Sequence, residues 1–215
     1  MPLMRVLSSS KNQNGGPVIV RYLCALLVIT LLVSCKKQKE AQPAASAGPG
    51  HADGYKQYLI RKGEHSAQGN DHRTLITGKL VFQVLFDSSC IYTTVKSSNT
   101  TDVNKLYGFS DCNNLHHLNS ARFGWRWNNN ALEILAYCYV NGERIIRSLG
   151  NIDIGQPVTM SIRPDGASYV FEMNGTREVM PRYCSTPNIE GYQLYPYFGG
   201  DETAPHDVRI FIKEL

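Results

Sequence analysis

Between Ser120 and Arg144 the sequence collects groups able to hold an acidic or polyhydroxylated ligand: Arg122, Arg126 and Arg144, the phenols Tyr137 and Tyr139, and one carboxylate, Glu133. A guanidinium is a planar fork of donors that matches a carboxylate or a sulfate, and a tyrosine ring packs on an apolar face while its hydroxyl hydrogen-bonds at the edge. These groups act together only if the chain turns them to one side of one surface.

Alternation supplies that surface. In Ser120-Ala-Arg-Phe-Gly-Trp-Arg-Trp127 the residues Phe123, Trp125 and Trp127 point one way, and Arg122, Gly124 and Arg126 the other. A four-residue loop, Asn128 to Ala131, sets Trp127 opposite Leu132, Trp125 opposite Ile134 and Phe123 opposite Ala136, and pairs Arg126 with Glu133 and Arg122 with Tyr137. A three-residue loop would mix apolar and charged residues on both faces, so the pattern chooses the register. Asn141-Gly142 signals a tight hairpin that places Tyr139 opposite Arg144 and Tyr137 opposite Ile146. The shared polar face then presents Ser120, Arg122, Gly124, Arg126, Glu133, Tyr137, Tyr139 and Arg144, with Gly124 expected to leave a gap where a ligand meets the backbone. The same register puts Arg147 on the apolar side opposite Ala136, which a bulge near Ser148 would relieve. Trp125 and Trp127 are expected in the core.

Other polar clusters read more plainly. His116 and His117 have no third ligand at metal-site spacing and are read as loop histidines. Gly199-Gly200-Asp201-Glu202 and His206-Asp207 offer oxygens of the kind calcium takes, about 6–8 at a time, so Asp201, Glu202 and Asp207 are the candidate calcium ligands, set against a turn capped by its acidic side chains.

The other elements follow from length and composition. The chain has 215 residues, 42% of them hydrophobic, enough for one domain and a tail. Residues 1–34 read as a signal peptide. The uncharged run Tyr22 to Val33 follows Arg5, Lys11 and Arg21, and is shorter than the roughly 20 apolar residues that span a bilayer. Removing those three residues brings the 22 basic residues close to the 18 acidic ones, which leaves no basic footprint for nucleic acid. Residues 35–54, mixing Lys, Ala, Gly, Pro and Ser, form a flexible tether. Residues 55–215 form the folded domain.

In that domain the apolar residues have period two, in short runs divided by Gly, Asn, Asp and Pro, and no amphipathic helix stands out. Ten strands are expected: 58–62, 80–86, 105–110, 121–127, 132–140, 144–149, 158–163, 169–173, 192–198 and 208–213. The fold class is all-β, a two-sheet antiparallel sandwich. Of the cysteines, Cys138 shares parity with Ile134 and Ala136 and is expected as a buried free thiol. Pairing among Cys90, Cys112, Cys138 and Cys184 has three arrangements, a Cys90–Cys112 bridge being one pairing considered.

Two resemblances add to this reading. Leu32-Val33-Ser34-Cys35 resembles a bacterial lipobox, which implies that Cys35 is lipidated, becomes the first residue and anchors an exported protein to a membrane. Lys36 in place of an inner-membrane-retaining aspartate implies the outer membrane, with the periplasmic and surface faces both open. The segments Lys105-Leu-Tyr-Gly-Phe-Ser-Asp111, Asn119-Ser-Ala-Arg-Phe-Gly-Trp-Arg-Trp127 and Tyr195 to Asp207 resemble concanavalin A-like jelly rolls in lipoproteins of Bacteroidota.

That fold hosts lectin modules, hydrolases and lyases alike. The Arg-x-Glu-x-Arg, Gln-Ile/Val-His and Tyr-x-Lys-x-Gly-x-Tyr strands of alginate-cleaving lyases are missing from this sequence. Glu133 also lacks the second carboxylate that a retaining hydrolase needs. For a β-elimination, Arg122 or Arg126 would neutralise the uronate, and Tyr137, Tyr139 or His117 would serve as base or acid. The expected function is therefore a lipid-anchored glycan-binding domain of the cell envelope. A lyase for acidic glycans is the alternative, and a structural envelope protein without a glycan ligand is the third reading.

Overall fold

The structure, a computed structural model, describes residues 54–215. The expected signal peptide, Cys35 and the tether up to residue 53 lie outside the described residues. Twelve strands follow one another: β1 Lys56–Ile60, β2 Thr74–Thr77, β3 Leu80–Phe86, β4 Asn104–Ser110, β5 Ser120–Asn128, β6 Ala131–Val140, β7 Glu143–Ile152, β8 Val158–Asp165, β9 Ser168–Met173, β10 Thr176–Pro181, β11 Ile189–Leu194 and β12 Val208–Glu214. They form two six-stranded antiparallel sheets, ordered β1-β12-β3-β8-β9-β10 and β2-β11-β4-β5-β6-β7. The only helical pieces among the described residues are short 3-10 turns, Ser88–Cys90 and Ser97–Asn99. The domain is the all-β sandwich that the alternation predicts.

Facing residues of the two sheets make the core. Phe82 packs edge-on against Phe123 with ring centroids 5.8 Å apart, Phe123 against Phe171 at 5.2 Å, and Phe86 lies 5.6 Å from Trp125. Trp125 is fully buried, whereas Trp127, nearer the hairpin loop, is only half-buried against the core edge. Cys138 is a buried free thiol, as its parity predicts, and so is Cys90.

The central hairpin has the expected register, with Trp127 opposite Leu132, Arg126 opposite Glu133, Trp125 opposite Ile134 and Arg122 opposite Tyr137. Asn141 and Gly142 both have positive φ, 51° and 84°, the backbone of a type I′ turn, and Tyr139 faces Arg144. The pairing slips between Leu135–Ser148 and Ile134–Gly150, leaving Leu149 as the extra residue of a bulge. Arg147 does lie opposite Ala136, but it is exposed rather than lodged on an apolar side. Strand β7 is a sheet edge, and Arg147 Nε reaches Glu178 of β10, the edge of the other sheet, at 3.3 Å.

Two strands escaped the alternation and one is displaced. Strand β2 has only four residues, and β10, Thr-Arg-Glu-Val-Met-Pro, buries only Met180; both are edge strands. The strand expected at 192–198 is β11 at Ile189–Leu194, because Pro196 lacks the N–H a ladder needs. Beyond it, Tyr197 makes isolated bridges to Lys105 and Ser66.

Candidate functional site

Arg122, Tyr137, Tyr139 and Arg144 come together on the outer face of the second sheet, where they line a cleft of about 260 Å³ with Lys105, His116, His117, Tyr197, Gly199 and Gly200. The floor comes from the central strands. The Arg122 guanidinium carbon sits 5.1 Å from the centroid of the Tyr137 ring, and Tyr137 packs against Val103 and Leu135. Tyr139 meets the Tyr137 ring at a centroid distance of 5.8 Å and the His117 ring at 5.5 Å.

One wall is the segment between β4 and β5. His116 takes its place from Tyr192 of β11: its backbone N–H donates to the Tyr192 hydroxyl at 3.1 Å, and its Nδ1 lies 2.9 Å from the same oxygen. The segment is tied down at its start. Asp111, fully buried, accepts from Arg182 Nε at 2.7 Å, from the Tyr169 hydroxyl at 2.8 Å and from the Cys112 and Glu190 backbone N–H groups. Cys112 is bonded to Cys184, so the bridge considered between Cys90 and Cys112 is replaced by one joining this wall to the chain after β10. Cys90 is instead buried beneath β12, its sulfur donating to the Arg209 carbonyl. The wall ends with the Asn119 side-chain oxygen accepting from the Asn141 N–H, which fixes it on the turn that carries Tyr139 and Arg144.

The opposite wall follows β11. Lys105 and Tyr197 exchange backbone hydrogen bonds of 2.8 and 3.0 Å, and Lys105 Nζ donates to the Gly199 carbonyl at 2.7 Å. The Gly199 backbone has a φ of +73°, and a Cβ there would lie 2.1 Å from the Glu202 carbonyl oxygen, so only glycine forms this corner.

The electrostatics of the cleft are one-sided. Lys105, Arg122 and Arg144 line it and none of the lining residues is acidic. Arg122 is 6% exposed, has no ion pair among the described residues, and its buried Nε has no acceptor. A buried, unpaired guanidinium is costly, and burial holds Arg122 itself below the ordinary arginine value. Burial, followed by the Arg122 and Arg144 charges, pulls Lys105 down to about 8, with Asp102 opposing. Burial, then Arg122 and His117, lowers His116 to about 4, so its imidazole is neutral at pH 7. Burial and the hydrogen bond with Tyr139 push the Tyr137 phenol up to about 12.

Several expected site residues lie outside this cleft. Arg126 and Glu133 lie about 13 Å further along the hairpin, at roughly 3.3 Å per strand residue. They pair with each other at 2.7 Å, Arg126 also donates to the Thr101 carbonyl, and Glu133 accepts from Ser148; neither lines the cleft. Gly124 is not a gap. Val103 covers it, and an added Cβ would lie 2.4 Å from Val103 Cγ1. The acidic turn does not gather its carboxylates around a cation either. Glu202 accepts from the Val95 and Lys96 N–H groups and from Asn99, while Asp207 accepts from the Lys62 N–H. Among the described residues the cluster whose metal-ligand atoms do lie together, Asp111, Cys112 and Cys184, has its sulfurs joined in the disulfide.

Lys105, His116, Tyr197 and the Gly199-Gly200 corner are the lining residues that alternation alone missed. In β4 the pairing runs from Lys105–Gly124 to Gly108–Arg122, so Leu106 and Tyr107 together oppose a single residue. Both are buried, and this bulge hides from the sequence that Lys105 lies on the same face as Arg122.

The sequence matches no protein-family model and no curated protein. The fold is similar to that of the laminarinase catalytic domain of Thermotoga maritima, with a TM-score of 0.49 and 11% identity over 74% of this chain and 75% of that one. It is also similar to an alginate lyase (TM-score 0.48, 9% identity, 75% and 74% covered) and to a carbohydrate-binding module from Bacillus subtilis (0.38, 7%, 72% and 82%). The two sheets themselves make the described domain an antiparallel β-sandwich, and the cleft's own residues carry its functional reading.

Proposed function

We propose that this domain binds an acidic glycan, with the anionic group of one sugar held in the cleft by Arg122. The observation that carries the reading is the buried guanidinium with an unpaired Nε, in a cleft lined by three cationic side chains and no carboxylate. An anion entering there supplies the acceptor and the charge that the protein withholds, and charge-assisted hydrogen bonds of this kind are about twice as strong as neutral ones. Tyr139, Tyr197 and the two histidines offer ring faces and edges for the sugar itself. We further propose that the domain is exported and held on the outer membrane through a lipidated Cys35, with the tether setting its distance from the bilayer.

The runner-up is a β-elimination on a uronate, and one feature favours it: phenols and two imidazoles line the cleft with the group that would neutralise the carboxylate. Arg122 would take that role. His117 or Tyr139 would remove the C5 proton, and the Tyr137 phenol, protonated throughout the neutral range, would donate to the leaving oxygen. Arg126, committed to Glu133, has no part in it.

A panel of neutral, uronate-containing and sulfated polymers separates these readings, with binding and ultraviolet absorbance of unsaturated ends followed together. Binding of acidic polymers alone, weakened by salt and without new absorbance, is the expected result. Product formation that disappears in Tyr137→Phe would establish the lyase. Equal binding of neutral and acidic polymers would overturn both.

A further inference from the structure

Three cations reach the cleft from three different strands, Lys105 from β4, Arg122 from β5 and Arg144 from β7. A carboxylate presents two oxygens in one plane and is satisfied by a single guanidinium fork. A sulfate or phosphate monoester presents three terminal oxygens pointing in three directions, each able to accept from a separate donor. Three cations from three strands lining one cleft supply separate donors of the kind such a group takes.

The charges around the cleft point the same way. Arg122 has no acidic partner among the described residues. Lys105 spends one proton on the Gly199 carbonyl and lies 5.7 Å from the Tyr137 centroid and 5.6 Å from that of Tyr197, with no carboxylate in hydrogen-bond contact. Among the described residues the carboxylate that acts on Lys105 is Asp102, which lines the small adjoining hollow together with Lys105 and Arg144. It offsets one positive charge of three. The surplus exceeds what a single carboxylate or a singly charged sulfate ester neutralises and matches a phosphomonoester, which carries about −1.5 to −2 near neutral pH. The sulfate ester differs from the carboxylate by its third oxygen alone. Arg144, on the edge strand, and Lys105, on the bulged strand, stand on opposite sides of the β5–β6 hairpin that holds Arg122 and Tyr137.

We propose that the cleft selects a tetrahedral oxyanion ester on a sugar, a sulfate or phosphate monoester, over a uronate carboxylate, with Lys105 and Arg144 as the specificity-determining side chains. The selection rests on the acidic-glycan reading above and narrows its ligand class.

The test is a nuclear magnetic resonance titration of the exported protein with four sugars that differ only at C6: galactose, galacturonate, galactose 6-sulfate and galactose 6-phosphate. At least one of the two esters should bind about tenfold more tightly than galacturonate, a difference of about 1.4 kcal/mol. The better ester identifies the source of the oxyanion. Lys105→Gln should reduce that ratio to about twofold, a loss of about 1 kcal/mol. Arg144→Gln, a change at an exposed edge residue, gives a second reading if the Lys105 variant does not fold. Galacturonate binding as tightly as both esters, or a ratio unchanged in the folded variants, would overturn the selection while leaving the acidic-glycan reading in place. Binding of none of the charged sugars and none of the acidic polymers would overturn the reading itself.

Discussion

At the scale of single residues, the cleft is defined by charges that the fold leaves without partners. The unfolded chain keeps the Lys105 proton up to the ordinary lysine value of 10.5, whereas the folded cleft releases it near 8. The unfolded state therefore binds more protons across that window, and stability should rise with pH from about 8 towards 10.5. Anion binding has the opposite trend: a bound anion favours the ammonium, so affinity should hold below pH 8 and decline above it. Titrations across that range, with Lys105→Met as a flat control, check both signs. Trp125, sealed between Phe86 and Tyr92, should cost about 3–5 kcal/mol when replaced by alanine, and the half-exposed Trp127 clearly less, as denaturant unfolding will show. Arg122, Tyr137, Tyr139 and Arg144 were legible in the sequence because hairpin parity fixes their side of the sheet. Arg126 and Glu133 share that parity and lie outside the cleft, since parity says which face a residue occupies and nothing about how far along the strand it stands.

At the scale of elements, the β5–β6–β7 meander was legible down to its residue pairs, because a slip of one position would have put Trp125 in water and Arg122 in the core. The flanking walls were not legible. The wall of Lys105, Tyr197 and Gly199 depends on the β4 bulge, which breaks the alternation, and on the chain leaving the sheet after Leu194; the wall of His116 and His117 depends on the buried Asp111 and the Cys112–Cys184 bridge. Two glycines show how tightly these elements meet. A Cβ at Gly108 would stand 2.2 Å from the Ala121 carbonyl oxygen, a backbone atom that cannot yield, and Gly124 would strike the Val103 side chain. Gly108→Ala should therefore fail to give a soluble native fold, whereas Gly124→Ala should fold with reduced stability by displacing Val103. Comparing their thermal unfolding tests whether Gly124 is a packing position; an unaltered Tm together with lost ligand binding would make it the ligand contact that its sequence suggested.

At the scale of the whole molecule, the two sheets are joined at one end of the sandwich by the Cys112–Cys184 bridge, 72 residues apart in sequence, and by the buried Asp111–Arg182 pair beside it. Closing a loop of that length should contribute about 2–4 kcal/mol, read as the loss of stability on reduction or in the double serine variant. Arg182→Ala, which strands the Asp111 carboxylate in the interior, should cost about 3–5 kcal/mol. This pairing was beyond the sequence, which supplies the number of cysteines and not the distances between them. Both devices anchor the wall carrying His116 and His117, so reduction should also weaken ligand binding. Mass spectrometry of the membrane fraction should find a diacylated Cys35 at the mature N-terminus, and an unmodified Cys35 in a cleaved, soluble chain would end the anchoring proposal. The most direct test of the central claim is a crystal structure of the protein with an acidic oligosaccharide. The account predicts the anionic group within hydrogen-bond distance of Arg122 Nε, flanked by Lys105 and Arg144; a sugar bound elsewhere on the sandwich, with the Arg122 cleft holding only solvent, would contradict it.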